Sequence, residues 1–151
     1  METGIAFAVA GAALSAALGG AGSSIGMGLA GSKATGVIAE KPHLFVKAMT
    51  MTALPGSQAI YGLLIAFLIY LKLQGGADIS VEVGKQFMWA GALMGIAGFF
   101  SGWFQGKVAA GGLGAVARNE DLLVNAIVLS ALVETSAIFG LLMAFMFLPT
   151  V

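Results

Sequence analysis

Charged residues cut this chain into four long stretches that lack them: residues 3–32, 48–71, 86–106 and 122–151, the last interrupted once, by Glu134. A helix needs about 20 consecutive apolar residues to cross the hydrocarbon of a bilayer, and every stretch is long enough. The other spanning solution is a closed β-barrel. None of the stretches alternates with period two, and their Ala and Leu content favours helix. Only 9% of the 151 residues are charged, against about 25% in soluble domains, which leaves too little polar side chain to cover a water-facing surface. The mean hydropathy of +0.99 agrees. The expected fold class is an all-α membrane protein with four transmembrane helices. The first stretch has no basic start and is longer than the apolar core of a signal peptide, so it is expected to be a retained span.

The two halves of the chain repeat without a gap at an offset of 78. Residues 53–70, ALPGSQAIYGLLIAFLIY, fall on residues 131–148, ALVETSAIFGLLMAFMFL, with nine of eighteen positions identical. Ser23, Gly28, Gly36, Ala39, Leu44 and Val46 meet their like at the same offset. One helical hairpin duplicated in tandem accounts for this. The division expected is a first hairpin over 1–73, a link over 74–84 outside the cytoplasm, and a second hairpin over 85–151. Lys33, Lys41, Lys47, Lys107 and Arg118 flank the turns inside the hairpins, whereas only Lys72 and Lys85 flank the link. By the positive-inside rule the turns face the cytoplasm, and both termini lie outside.

Small residues form rows at helical spacing. One runs through Gly4, Ala8, Gly11, Ser15, Gly19, Gly22 and Gly26; a second runs through Ala13, Ala17, Gly20, Ser24 and Gly28, repeated in the third span as Gly91, Gly95, Gly98, Gly102 and Gly106. Such rows let helix backbones approach closely in lipid. Two uses remain open: packing inside one four-helix bundle, or a crowded inner wall where the first and third spans of many copies meet around an axis.

Glu134 stands alone in the fourth span. Gln105 precedes Asn119 of the second turn by fourteen residues and Glu134 follows it by fifteen, so antiparallel helices place the two at one depth. At ~1.5 Å per residue Glu134 lies ~18 Å beyond Leu122, near the bilayer middle. The repeat puts Ser57 and Gln58 within one or two residues of that level, and Tyr61 shares a helical face with Gln58. Pro55 should kink the second span and free carbonyls near Met51 and Leu54. Gly56 stands where the repeat would carry a second carboxylate. An ionised carboxylate at this depth costs ~2.5 kcal/mol or more. No Lys or Arg is placed to pair with it; Lys107 lies on another face from Gln105 and is expected to snorkel toward the turn. Something reversible, a proton or a metal cation, should neutralise Glu134. Several oxygens in one layer favour a hard cation such as sodium, although the two glutamines could instead simply hydrogen-bond across helices.

The segments LPGSQAIYG, FSGWFQGKVAA and VETSAIFG resemble those of the proteolipid (c or K) subunit of V-type and archaeal-type rotary ATPases, and the likeness covers essentially the whole chain. It implies a non-catalytic subunit of a rotor ring of identical copies, turning against a membrane stator subunit that offers an arginine. The two hairpin turns would meet central-stalk subunits, and lipid would surround the ring. In sodium-carrying members the ion is held within one chain. The matching positions here are the Leu54 carbonyl, Ser57, Gln58, Gln105 and Glu134, with Tyr61 hydrogen-bonding the glutamate. Ser57 stands where those members have threonine; it keeps the hydroxyl without the methyl that stiffens it. A ring carrying only protons, a stand-alone transporter or channel, and a purely structural oligomer are the alternatives. Cysteine is absent and formal net charge is zero, which removes thiol chemistry and any basic patch for nucleic acid. No P-loop, catalytic His or Cys constellation or carboxylate pair points to hydrolysis, and His43 reads as a solvated loop residue.

Overall fold

A computed structural model describes residues 2–76 and 78–150. Its long helices are α1 (Glu2–Glu40), α2 (Phe45–Ala53), α3 (Ser57–Gln74), α4 (Val81–Arg118) and α5 (Leu123–Phe147), and among the described residues no strand forms. A 3-10 segment, Leu54–Gly56, joins α2 to α3. Four helical stretches are long and apolar enough to cross a membrane: Glu2–Glu40, Pro42–Gln74, Val81–Arg118 and Glu120–Phe147. The protein is therefore a multi-pass membrane protein with all-helical spans.

The helices outrun the uncharged windows. At ~1.5 Å per residue, the 39-residue α1 measures ~58 Å, about twice the ~30 Å of bilayer hydrocarbon. Lys33 and Lys107 thus lie within continuous helix. Charge sets where lipid ends, not where a helix must end. The turns are correspondingly short. Lys41 and the 3-10 segment Pro42–Leu44 make the first; Asn119 and Glu120–Leu122 make the second. Asn119 Oδ1 accepts from the Asp121 backbone N–H at 3.0 Å, and at the other end of α4 Ser80 Oγ caps the Val83 N–H at 3.3 Å. Each satisfies a backbone donor left over at a helix start.

Backbone contact between α1 and α4 organises the molecule. A methyl group added at Gly84, Gly91, Gly102 or Gly106 would run into α1 backbone at Gly4, Gly11, Gly22 and Gly26 respectively. Each pair differs by the same 80 residues. A constant difference means that α1 and α4 run parallel, so the two hairpins have the same orientation. The first small row of α1 is thus spent inside the chain, whereas Ala13, Ala17, Ser24 and Gly28 of the second row are exposed. The shorter helices cover this pair: Ser15 Oγ donates to the Gly62 carbonyl of α3 at 2.9 Å, where Gly62 lets the backbones close up.

Two apolar clusters fill the interior. One, toward the link, contains Ala8, Ile65, Ile69, Ile79, Phe87, Met94, Ala137 and Ala144; the other, toward the turns, contains Ala30, Ala34, Ala48, Met51, Ala109, Leu113, Val116 and Ala126. Between them lie buried polar side chains: Ser23, Gln58, Ser101, Gln105 and Ser130. Large exposed apolar side chains such as Ile60, Leu63, Phe67, Leu132, Phe139 and Met146 cover α3 and α5, as a lipid-facing surface requires.

A polar layer around Glu134

Three helices carry the layer. Pro55 has no N–H and cannot continue a regular α-helix, and the chain tightens there into the Leu54–Gly56 segment before α3 resumes at Ser57. Gln58 follows in the first turn of α3 and is fully buried, as is Gln105 on α4. Glu134 comes from α5, whose course is unbroken.

Their side chains form a hydrogen-bonded chain. Gln58 Nε2 donates to Gln105 Oε1 at 2.6 Å. Gln105 Nε2 in turn donates to Glu134 Oε2 at 3.3 Å. The Tyr61 hydroxyl donates to Glu134 Oε1 at 2.6 Å. One Gln58 atom is left over: Oε1 is buried and has no hydrogen-bond partner. A buried polar atom without a partner costs roughly 1–3 kcal/mol, so it marks a place where something else belongs.

Ser57 and Leu54 are positioned differently. Ser57 Oγ turns back to the Leu54 carbonyl at 3.5 Å. Both residues line an open cleft with Ala53, Gly56, Ile60 and Glu134. The structure thus brings Gln58, Gln105 and Tyr61 into one network with Glu134, and places Leu54 and Ser57 along the cleft that the same carboxylate borders. Gly56, the counterpart of Glu134 in the repeat, lines that cleft too and meets only the Met27 sulfur, at 3.5 Å from an added methyl.

Ser101 is a member that the residue pattern did not single out. It is 2% exposed, accepts from Gln58 Nε2 at 3.1 Å, and donates to the Val133 carbonyl at 3.1 Å. Its spacing of four residues from Gln105, on one helix face, was the available signal. Ser23, its counterpart in the repeat, accepts from the Ala59 backbone N–H at 2.9 Å. Lys107 stays away from Glu134. Its ammonium lies 5.1 Å from the ring centroids of both Trp103 and Phe104, so it folds back along α4 onto aromatic faces instead of reaching toward the turn. Among the described residues no ion pair involves Glu134.

At the turns, Lys47 and His43 both reach Glu120, at 2.7 and 2.8 Å, and Lys41 Nζ donates to the Ala117 carbonyl at 2.7 Å. These contacts tie one turn to the other.

A family model described as the ATP synthase C subunit matches residues 10–69 and again residues 88–147, the two matches lying 78 residues apart. The chain belongs to the ATP synthase C-subunit family. It is similar to the V-type sodium ATPase subunit K of Enterococcus hirae, 38% identical over 95% of this chain and 90% of that one. It is also similar to the A-type ATP synthase subunit K of Methanocaldococcus jannaschii, 41% identical over 91% of this chain, which spans 60% of that relative's length. The human V-type proton ATPase 16 kDa proteolipid is 28% identical over 91% of this chain and 88% of its own. Within the C-subunit family the chain is a two-hairpin rotor-ring proteolipid of the V/A type, a non-catalytic component.

Proposed function

We propose that this ring proteolipid carries sodium on Glu134, one ion per chain, with Gln58, Gln105, Ser57 and the Leu54 carbonyl supplying further oxygens and Tyr61 holding the carboxylate. The observation that carries this reading is the unpartnered, buried Gln58 Oε1 in the same network as Glu134. A proton needs only the carboxylate, whereas a hard cation uses several oxygens, and a spare amide oxygen is what it would take up. A bound cation would also remove the expense of carrying an ionised carboxylate past acyl chains. The name of the Enterococcus hirae relative points the same way.

Each copy in the ring loads its ion at the open cleft lined by Leu54, Gly56, Ser57 and Glu134. It passes through lipid with the charge cancelled and releases the ion where a stator arginine competes for the carboxylate. The turns at Lys41–Leu44 and Asn119–Leu122 lie in the cytoplasm against central-stalk subunits, and the link at 74–84 and both termini lie outside. Five cationic residues against two support that orientation. Labelling of single cysteines placed at Gly76 and at His43 from opposite sides of sealed vesicles checks it.

A ring carrying protons is the second reading. Tyr61 and Gln105 donate to both carboxylate oxygens, and the human V-type proton ATPase proteolipid is similar in sequence over most of the chain. Modification of Glu134 by a carbodiimide decides between the two. If sodium is the cargo, millimolar sodium slows the reaction at neutral pH; labelling that responds to pH and ignores sodium defeats the sodium reading.

A further inference from the structure

We infer that Ser101 is a positioning residue that assigns Gln58 its role as an oxygen ligand, by fixing which end of the amide is left free. The inference rests on the sodium reading above. A serine hydroxyl has one proton. Ser101 gives it to the carbonyl of Val133, the residue that precedes Glu134. What Ser101 then shows Gln58 is a lone pair, and only an N–H group can meet it. Gln58 Nε2 does so at 3.1 Å, while its second hydrogen goes to Gln105 Oε1 at 2.6 Å. Both amide hydrogens are committed, and Oε1 remains the unpartnered atom.

Turning the amide end for end would set its oxygen against two acceptors, Ser101 Oγ and Gln105 Oε1. The hydroxyl therefore acts as a polarity key. It reads a backbone carbonyl of α5 and sets a side chain of α3, from a place on α4 (2% exposed) that no bulk solvent can compete for. Ser101 touches neither carboxylate oxygen of Glu134, whose partners are Tyr61 and Gln105. Its influence should fall on the cation and not on protonation.

The test uses assembled rings carrying Ser101→Ala or Ser101→Thr, with carbodiimide labelling of Glu134 followed against sodium concentration, and against pH without sodium. In Ser101→Ala, half-protection should need about five- to tenfold more sodium, the loss of one buried hydrogen bond. The sodium-free pH profile should stay where it is in the wild type. Ser101→Thr, which keeps the hydroxyl, should return toward wild-type protection. If Ser101→Ala is protected at the wild-type sodium concentration, the inference fails and the sodium reading stands. If wild-type rings show no sodium protection, the sodium reading itself fails. Equal displacement of both profiles, a Thr variant no better than Ala, or failure of both variants to assemble would make Ser101 merely structural and overturn the proposal.

Discussion

The two hairpins repeat at an offset of 78 residues, yet at the level of Glu134 they have become different parts. Residues 54–58 read Leu-Pro-Gly-Ser-Gln and their counterparts 132–136 read Leu-Val-Glu-Thr-Ser. In the first hairpin Pro55 interrupts the helix, and Leu54–Gly56 forms a 3-10 segment. In the second, α5 runs unbroken through the same level. The first supplies a broken backbone, a buried amide and room at Gly56; the second supplies the charge. One carboxylate met by neutral groups from both repeats, Tyr61 and Gln105, is easier to neutralise than two facing each other, since like charges in a low dielectric oppose ionisation of both. Divergence after duplication thus left neutral polar groups in both hairpins, Gln58 in the first and Gln105 in the second, and the carboxylate of this layer in the second alone. The serines at the level of the break kept their positions but changed partners: Ser23 holds a backbone N–H, whereas Ser101 holds a side-chain amide and a carbonyl.

Substitutions can break this division of labour. Glu134→Gln should have the largest effect, abolishing ion uptake by vesicles holding the assembled complex while rings still form; wild-type flux would remove the carboxylate from the mechanism. Gly26→Leu should come next, because even a methyl there overlaps the Gly102 backbone and Pro55. A loss of about 1–3 kcal/mol or more is expected from overpacking, seen as rings that fall apart at lower temperature, whereas Gly36→Ala, with open space around it, should be neutral or slightly stabilising. Pro55→Ala would make the first hairpin resemble the second. It should keep or raise thermal stability, since proline in a helix costs ~3 kcal/mol, but weaken sodium protection of Glu134 by disturbing Leu54 and Ser57. Tyr61→Phe removes one hydrogen bond from the carboxylate and should weaken protection about fivefold, near 1 kcal/mol. Lys47→Ala should be smallest. Its partner Glu120 is well exposed, and such pairs contribute ~0–1 kcal/mol, so a large change in ring stability would mean that the turn contacts matter more than their exposure suggests.

Much of this architecture was legible in the order of residues. Long uncharged windows imply spans because unpaired charge and unsatisfied backbone are both expensive in lipid. A gapless repeat implies paired hairpins. Counting from Asn119 relates the depths of Gln105 and Glu134 because helices rise by a constant increment, and the two side chains do meet. The helix limits were less legible: Lys33 and Lys107 suggested turns, but a charged side chain beyond the hydrocarbon is compatible with continued helix. Lys107 illustrates the same weakness at the level of a side chain, since its position does not reveal that Trp103 and Phe104 offer it their faces.

By itself the sequence determined that the chain lives in a bilayer, that it is a doubled hairpin, and that one carboxylate stands alone in its fourth span. Periodicity, length and charge carry those facts because each acts along a single helix. Only the tertiary structure decided which small row of α1 meets α4, that Ser101 joins the polar layer, and which oxygen of that layer is left without a donor. Hydrogen bonds between helices depend on the rotation of each helix about its axis and on the direction of every donor, and neither quantity is written in residue spacing.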